Sequence, residues 1–444
     1  MTAPLAADLT AGMPIPAEPV EEYRSPKRQE VYEQLRELIV RGELAPGTKL
    51  VDTELGRLTG ASKGPVREAL NRLATQWLVE IEPRRGTHVT YVDRRVGVAV
   101  VQVVTALLAD AVRCATRDLT PQDDEALRHW RDEVLTLPDD ELRATVTTRD
   151  DEDQLMAVFV RRSGNAVLTE LAAELRPYLR RIAHVHAEQR DLEALRSSHV
   201  AIVDAALRRD AEAAVAAWTT QGEATVTRYL SLPVSPSVED RERAPLMREH
   251  VTALIRDAIL AGTLAPGEPL PEREMMRWLR TSRTPLRDAL TQLEAQGLVV
   301  QPLNRTARVA RMDAAAVADV VHVAGLLRGL GLRLLLERDP AAALAALEEL
   351  VEPVLAAGDT SGVLEWGLRF SDWIDRSVPN PVLARVARNI SARARWYVTG
   401  VPSAGSGVAL RQVSALLDAV RAADVAASDR AVRALYDAMV PPGV

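Results

Sequence analysis

Apolar positions along this chain fall at helical spacing almost throughout, and over two stretches they fall in the same order twice. Val31, Leu35, Leu38 and Ile39 mark one face of a first helix, and Val251, Ile255 and Ile259 mark the same face further on. Leu44-Ala-Pro-Gly47 stops the first copy of that helix and Leu264-Ala-Pro-Gly267 the second, an offset of 220 residues. A short second helix follows, with Leu55 and Leu58 expected inward, or Met275 and Leu279 in the second copy. Ser62 and Ser282 stand at N-cap positions, with a proline three residues on and an apolar stripe behind. That third helix is expected to end near Trp77 or Gly297. Two short β-runs close each copy: Leu78–Glu82 with Thr87–Tyr91, and Leu298–Pro302 with Ala307–Arg311. The order helix, helix, turn, helix, hairpin is a winged helix-turn-helix. Its repetition without insertion over about 60 residues marks a duplicated domain, not a solenoid.

Between and after these modules, residues 95–230 and 313–440 show helical periodicity and almost no strand signal. The expected class is therefore mainly α: two winged helix-turn-helix domains, each followed by an all-helical bundle. The expected boundaries are a disordered tail over 1–22, a winged domain over 23–93 and a helical block over 95–230. A linker over 231–242, a second winged domain over 243–312 and a second block over 313–440 complete the chain. Ser231-Leu-Pro-Val-Ser-Pro-Ser237 marks the linker by composition. Trp218, Trp366, Trp373 and Trp396 are expected in the cores of the blocks.

Composition narrows the chemistry. Only three of the 55 basic residues are lysines, Lys27, Lys49 and Lys63, so no Schiff base or P-loop lysine is available after residue 63. No Ser-His-Asp set, zinc motif or glycine-rich phosphate loop appears, and the expectation is no enzyme and no cofactor. The single cysteine, Cys114, excludes an internal disulfide framework and fits a cytoplasmic protein. No uninterrupted apolar run reaches the roughly 18 residues of a membrane helix. The first 22 residues lack a basic leader and read as a tail, not a signal peptide. Net charge is −7 over the 444 residues, yet the two winged modules together carry +7 and the remainder −14. A basic patch on an acidic chain is the footprint of a duplex reader.

At Val31 to Val89, including Ser62-Lys-Gly-Pro-Val-Arg-Glu-Ala-Leu70, and at Val251 to Val309, including Ser282-Arg-Thr-Pro-Leu-Arg-Asp-Ala-Leu290, the sequence resembles the GntR superfamily of bacterial transcription factors. The resemblance implies a recognition helix in the major groove and a wing tip in or near the minor groove. It assigns DNA contacts to Ser62, Lys63, Arg67, Arg85 and Gly86 in the first copy. In the second it assigns them to Arg273, Ser282, Arg283, Thr284, Arg287 and Arg305. An arginine at 283 can meet guanine O6 and N7 with two hydrogen bonds, where Lys63 offers one point charge. Three positions depart from the family: Thr53 for the basic residue of the second helix, Thr306 for the wing glycine, and Trp77 for the glycine after the recognition helix. That last turn is expected to be strained or re-routed.

The helical blocks resemble the FadR C-terminal (FCD) effector domain. Ser163-Gly-Asn165 with Leu168, then His199 to Leu207 and Asp210, is echoed by Asn380-Pro381 with Leu383, then Leu416 to Val420 and Asp424. Many members hold a divalent metal there. The corresponding positions are Glu152, Met156, His199 and Gln221 in the first block and Gly367, Ser371, Val413 and Leu435 in the second. Only Glu152 and His199 are weak candidate ligands, so no metal is expected. The family's cavity-facing arginine and glutamate fall at Val104 and Leu108, and at Ala324 and Leu327. The cavities are therefore expected to be filled, or apolar and suited to an acyl effector. With two heads and two blocks, the chain reads as a repressor built as a covalent pseudo-dimer on a double-stranded DNA operator, as one chain or as a homodimer. The competing readings are a ligand sensor and an architectural DNA-bridging protein with degenerate effector domains.

Overall fold

Pro26–Val40 forms the first helix, α1, with Val31, Leu35 and Ile39 buried on one face as the apolar spacing requires. The computed structural model describes residues 26–82, 86–148, 155–231, 247–302, 306–311, 314–358, 362–398 and 406–440. The expected tail over 1–22 and all but the first residue of the expected 231–242 linker lie outside the described residues.

The first head continues through β1 (Lys49–Leu50), α2 (Asp52–Thr59), α3 (Lys63–Thr75), β2 (Val79–Glu82) and β3 (Gly86–Val89). The strands form one antiparallel sheet in the order β1-β3-β2, with Val79 opposite Val89. The second head repeats this with α11 (Met247–Leu260), α12 (Glu272–Trp278), α13 (Arg283–Ala295), β4 (Val299–Val300) and β5 (Arg308–Val309). Val299 lies opposite Val309, the same register 220 residues on. One expectation fails, in the first copy: Leu55 is buried, but Leu58 is 51% exposed, and Thr59 takes the second inward place on this short helix. In the second copy Met275 is buried and Leu279, the counterpart of Thr59, packs partly buried against the core of the head.

The first helical block comprises α4 (Arg94–Arg117), α5 (Pro121–Thr136), α6 (Asp139–Thr148), α7 (Leu155–Arg162), α8 (Ala166–Val185), α9 (Leu192–Leu207) and α10 (Ala211–Ser231). The second comprises α14 (Ala314–Arg338), α15 (Pro340–Ala357), α16 (Val363–Ser377), α17 (Pro381–Val398), α18 (Ser406–Arg421) and α19 (Val425–Asp437). Their caps repeat. Asn165 accepts from Leu168 N–H at the start of α8, and Asn380 accepts from Leu383 N–H at the start of α17, both at 2.8 Å. Asp210 and Asp424 cap α10 and α19 in the same way. Helices α4 and α14 are long and apolar enough to cross a membrane by length and composition, a feature that an uninterrupted-run criterion passes over. Most of each is buried inside the protein. Trp366 is buried, Trp218 and Trp373 pack partly buried against the same core, and the Trp396 side chain lies outside the description.

The two blocks share one hydrophobic core. Helix α4 packs on α14 and α17, and α14 packs on α8, so the seam has a pseudo-two-fold axis running between α4 and α14. Two hydrogen bonds display it. Asn165 Nδ2 donates to the carbonyl of Asp319 at 3.3 Å, and Asn380 Nδ2 donates to the carbonyl of Ala99 at 3.1 Å. Residues 99 and 319 are themselves one repeat apart. Inside each block the close helix approach uses glycine on opposite partners: Gly222 of α10 faces Thr105 of α4, whereas Gly325 of α14 faces Tyr436 of α19.

Candidate nucleic-acid interface

Each recognition helix begins at a serine in extended conformation, Ser62 before α3 and Ser282 before α13. Neither side chain closes a cap hydrogen bond. The first N–H groups of both helices and both hydroxyls therefore face outward, an arrangement that suits phosphate oxygens. One turn in, Arg67 Nε donates to Asp52 at 2.6 Å, and Arg287 Nε donates to Glu272 at 2.6 Å. These pairs are one repeat apart at both ends. Arg283 adds a second pair to Glu272 at 2.9 Å in the second head alone. All three arginine side chains stay about 60% exposed. Exposed ion pairs of this kind are worth at most about 1 kcal/mol, so a phosphate or guanine edge can take the guanidinium from its carboxylate.

The two recognition helices touch. Asn71 Nδ2 of α3 donates to Asp288 Oδ1 of α13 at 3.1 Å. Around this contact opens a groove of about 1130 Å³ between the heads. Of the residues expected to read DNA, Arg67, Arg273, Arg283, Thr284 and Arg287 line it, and Gly64 faces them. Ser62, Lys63, Gly86 and Ser282 do not line it, although Ser62, Lys63 and Ser282 are exposed close by. Gly86 opens β3 with φ +100, the left-handed region a wing turn uses. Arg85 and Arg305 lie outside the described residues. Arg28, Asn71 and Asp288 belong to the groove without having been singled out in the sequence. Asn71 and Asp288 are not repeat partners, so the 220-residue offset gives no hint of their contact.

The heads sit differently on the blocks. Head one is held by a two-pronged pair from Arg180 to Glu37 (2.9 and 3.2 Å) and by the buried Arg181, which donates to the Thr90 hydroxyl at 2.7 Å and to the Thr90 carbonyl. Burial without a carboxylate partner pushes the Arg181 guanidinium down to about 10. Trp77 does sit in a strained left-handed turn, φ +62, but the hairpin after it is not re-routed. Its ring lies 4.1 Å from the Arg385 guanidinium of block two, which also donates to the Thr75 carbonyl. In head two the same turn is Gly297, φ +65, seated against Arg393 of its own block.

The family's metal positions do not fit a metal in either block. In block one, Trp130 Nε1 can only donate, and it points at His199 Nδ1 from 3.3 Å, which occupies that lone pair. The imidazole proton therefore sits on Nε2, 3.1 Å from the Gln221 amide, whose oxygen has no other partner and accepts it once the amide is turned. Burial, with the Arg190 charge behind it, pushes His199 down to about 3. Met156 packs partly buried against the core, and Glu152 lies outside the described residues. In block two, Val413 and Leu435 are fully buried core residues.

The cavity of block two is nearly filled, with polar groups among an apolar lining of Ala324, Leu368, Ala394 and Met439. It is small, about 50 Å³, and Arg328, Ser371, Asp372, Ser391 and Tyr436 line it. Arg328 is 1% exposed, pairs with Asp375 at 3.3 Å, and keeps Nε and Nη1 unpartnered. It is the residue one repeat after Leu108; the expected position, Leu327, is one residue short of it and lies in the core. No cavity of acyl-chain size lies among the described residues of that pocket.

Comparison with known proteins bears on both parts. The family model for bacterial regulatory proteins, gntR family, matches residues 27–89 and 247–309, and that for the FCD domain matches 99–221 and 319–438. A helix-turn-helix-type transcriptional regulator in an unstable DNA locus of Streptomyces ambofaciens is 42% identical over 66 residues, 15% of this chain and 28% of that protein. The helix-turn-helix-type transcriptional repressor RspR of Escherichia coli is 40% identical over 68 residues, 15% of this chain and 30% of RspR. The chain thus spans less than a third of the length of these curated relatives. Among solved structures, E. coli McbR/YncC is similar at 22% identity and a TM-score of 0.36, covering 47% of this chain and 98% of its own.

Proposed function

Because the chain belongs to the gntR family of bacterial regulatory proteins, with an FCD domain after each of its two winged heads, we propose that it is a sequence-specific DNA-binding transcriptional regulator acting as a covalent pseudo-dimer. It acts as a repressor in the cytoplasm, on a double-stranded operator, and performs no catalysis. The observation that carries this reading is the repeated pair Arg67–Asp52 and Arg287–Glu272, each joining a recognition helix to the helix before it, with both recognition helices on one groove. Two protomers of an ordinary dimer would present two such helices; here one chain does.

The base-reading roles go to Lys63, Arg67, Arg273, Arg283, Thr284 and Arg287, with Ser62 and Ser282 on phosphates and Arg85, Gly86 and Arg305 at the wings. Since Lys63 and Gly64 stand where Arg283 and Thr284 stand in the second head, the two half-sites differ. The Asn71–Asp288 contact keeps the helices far closer than the ~34 Å of heads placed one helical turn apart, so the half-sites abut. The block-two cavity of about 50 Å³ leaves no room for an acyl chain, so an acyl effector is not proposed to enter there. Selection of bound duplexes from a random library tests the reading. The expected product is one asymmetric motif of two abutting parts; recovery of a palindrome, or of no motif, contradicts it.

A further inference from the structure

The seam between the blocks is symmetric in backbone but not in charge. Asp110 of α4 is 6% exposed and points across it. His322 Nε2 of α14 donates to Asp110 at 2.7 Å, and Arg433 of α19 approaches it at 3.4 Å, both from the other block. From its own block come Arg113 at 3.8 Å and the Cys114 thiol at 3.8 Å. His322 also faces Asp437 at 3.4 Å, and Arg433 is held by Asp429 at 2.8 Å. One repeat away, the other end of the seam has none of this. Leu330, the counterpart of Asp110, is buried and apolar, and Gln102, the counterpart of His322, accepts a neutral hydrogen bond from Asn380 at 2.9 Å.

We propose that the cluster Asp110, His322 and Arg433 makes this face heterotypic, so that block one accepts block two and rejects a second copy of itself. The inference rests on the pseudo-dimer reading and deepens it by naming what selects the partner. If two first blocks paired through the same face, each Asp110 would meet Gln102 and lose both cations from across the seam. If two second blocks paired, each His322 and Arg433 would meet Leu330. A buried Asp110 stripped of its cations from across the seam is strongly destabilising, and the block-crossing pairs Arg385–Glu174 at 3.5 Å and Arg393–Glu170 at 3.0 Å, also lost between two first blocks, act in the same direction. The direction of titration agrees: against the cost of burial, the hydrogen bond and charge of His322 hold the Asp110 carboxyl below its usual range.

Cutting the full chain between the halves, at a protease site placed within 232–246, removes the tether that otherwise favours closure within the chain. Native mass spectrometry then reads how the two pieces pair. The wild-type sequence is expected to keep only mixed pairs. Asp110→Leu with His322→Gln gives positions 110 and 322 the residues that 330 and 102 already carry, and it is expected to let first-block pairs appear beside the mixed ones that the remaining contacts between the halves still favour. Asp110→Asn, nearly the same size, guards against a packing failure and is expected to lower the preference for mixed pairs at least ~10-fold. Like pairs in the cut wild type, or mixed pairs alone in both variants, would overturn the proposal. An uncut wild type that sediments as a dimer of chains contradicts the pseudo-dimer reading, whatever the cut pieces do.

Discussion

At two of the left-handed turns that the winged heads share, one copy has glycine and the other a larger residue. After the second helix, head one has Gly60 (φ +61) and head two has Arg280 (φ +48). After the recognition helix the assignment reverses, with Trp77 (φ +62) in head one and Gly297 (φ +65) in head two. The backbone is therefore common to both copies, and the strain is distributed differently. Arg280 is exposed, whereas Trp77 uses its turn to place a ring against Arg385 of the opposite block. Head one is thus fastened to both blocks, while head two rests on its own. A duplication that frees each copy from serving as its own partner allows that divergence.

The blocks differ as sharply in their histidines, and the largest expected effects lie there. His199 holds a folded pKa of about 3, so the unfolded chain takes up a proton that the folded chain refuses. Its contribution is complete above the ordinary pKa of about 6.5 and is lost as pH falls toward 3. His322 is held up to about 9, first by its hydrogen bond to Asp110. Its contribution is complete below about 6.5 and is lost as pH rises through 9. Melting temperature against pH should therefore fall on both sides, with His199→Gln flattening the acid limb and His322→Gln the alkaline one. Flattening of the same limb by both variants would break the contrast.

Next in size is Arg181→Ala, which leaves the Thr90 carbonyl without its buried donor and should cost about 3 kcal/mol in calorimetry, with loss of order concentrated in head one. Arg287→Ala should weaken operator binding by about 2 kcal/mol and relax specificity at one position, a larger and more base-specific effect than Arg67→Ala. A uniform loss across unrelated sequences would reassign Arg287 to a phosphate. Gly297→Ala should cost about 1 kcal/mol, since its Cβ would adopt a left-handed turn and stand 2.7 Å from Arg393. Arg280→Gly should raise stability by about 0.5 kcal/mol, and an unchanged melting temperature would mean the turn carries no strain.

The sequence made the heads readable because their information is local: helical spacing, serine before the recognition helix, and turn residues repeated at a fixed offset. Leu58 is the exception: apolar spacing alone puts it inward, yet the inward row of that short helix is Leu55 and Thr59, and Leu58 is exposed. The sequence singles out the arginines of α3, α12 and α13 that line the groove, but not the acids paired with Arg67, Arg283 and Arg287, because those pairings join two helices. The seam was hidden for a similar reason. Asn165 and Asn380 could be seen as caps, yet the Nδ2 that crosses to the other block depends on topology. Arg328 escapes the sequence pattern because it lies one residue beyond the expected Leu327, at the true 220-residue counterpart of Leu108.

The central claim is that one chain supplies both halves of what a dimer would supply. The most direct measurement is the mass, by native mass spectrometry or light scattering, of the complex between the uncut chain and a duplex carrying its selected motif. One chain on one asymmetric duplex, with each half of the motif lost separately on changing Arg67 or Arg287, is the expected result. Two chains per duplex, with both variants weakening both halves alike, would contradict it.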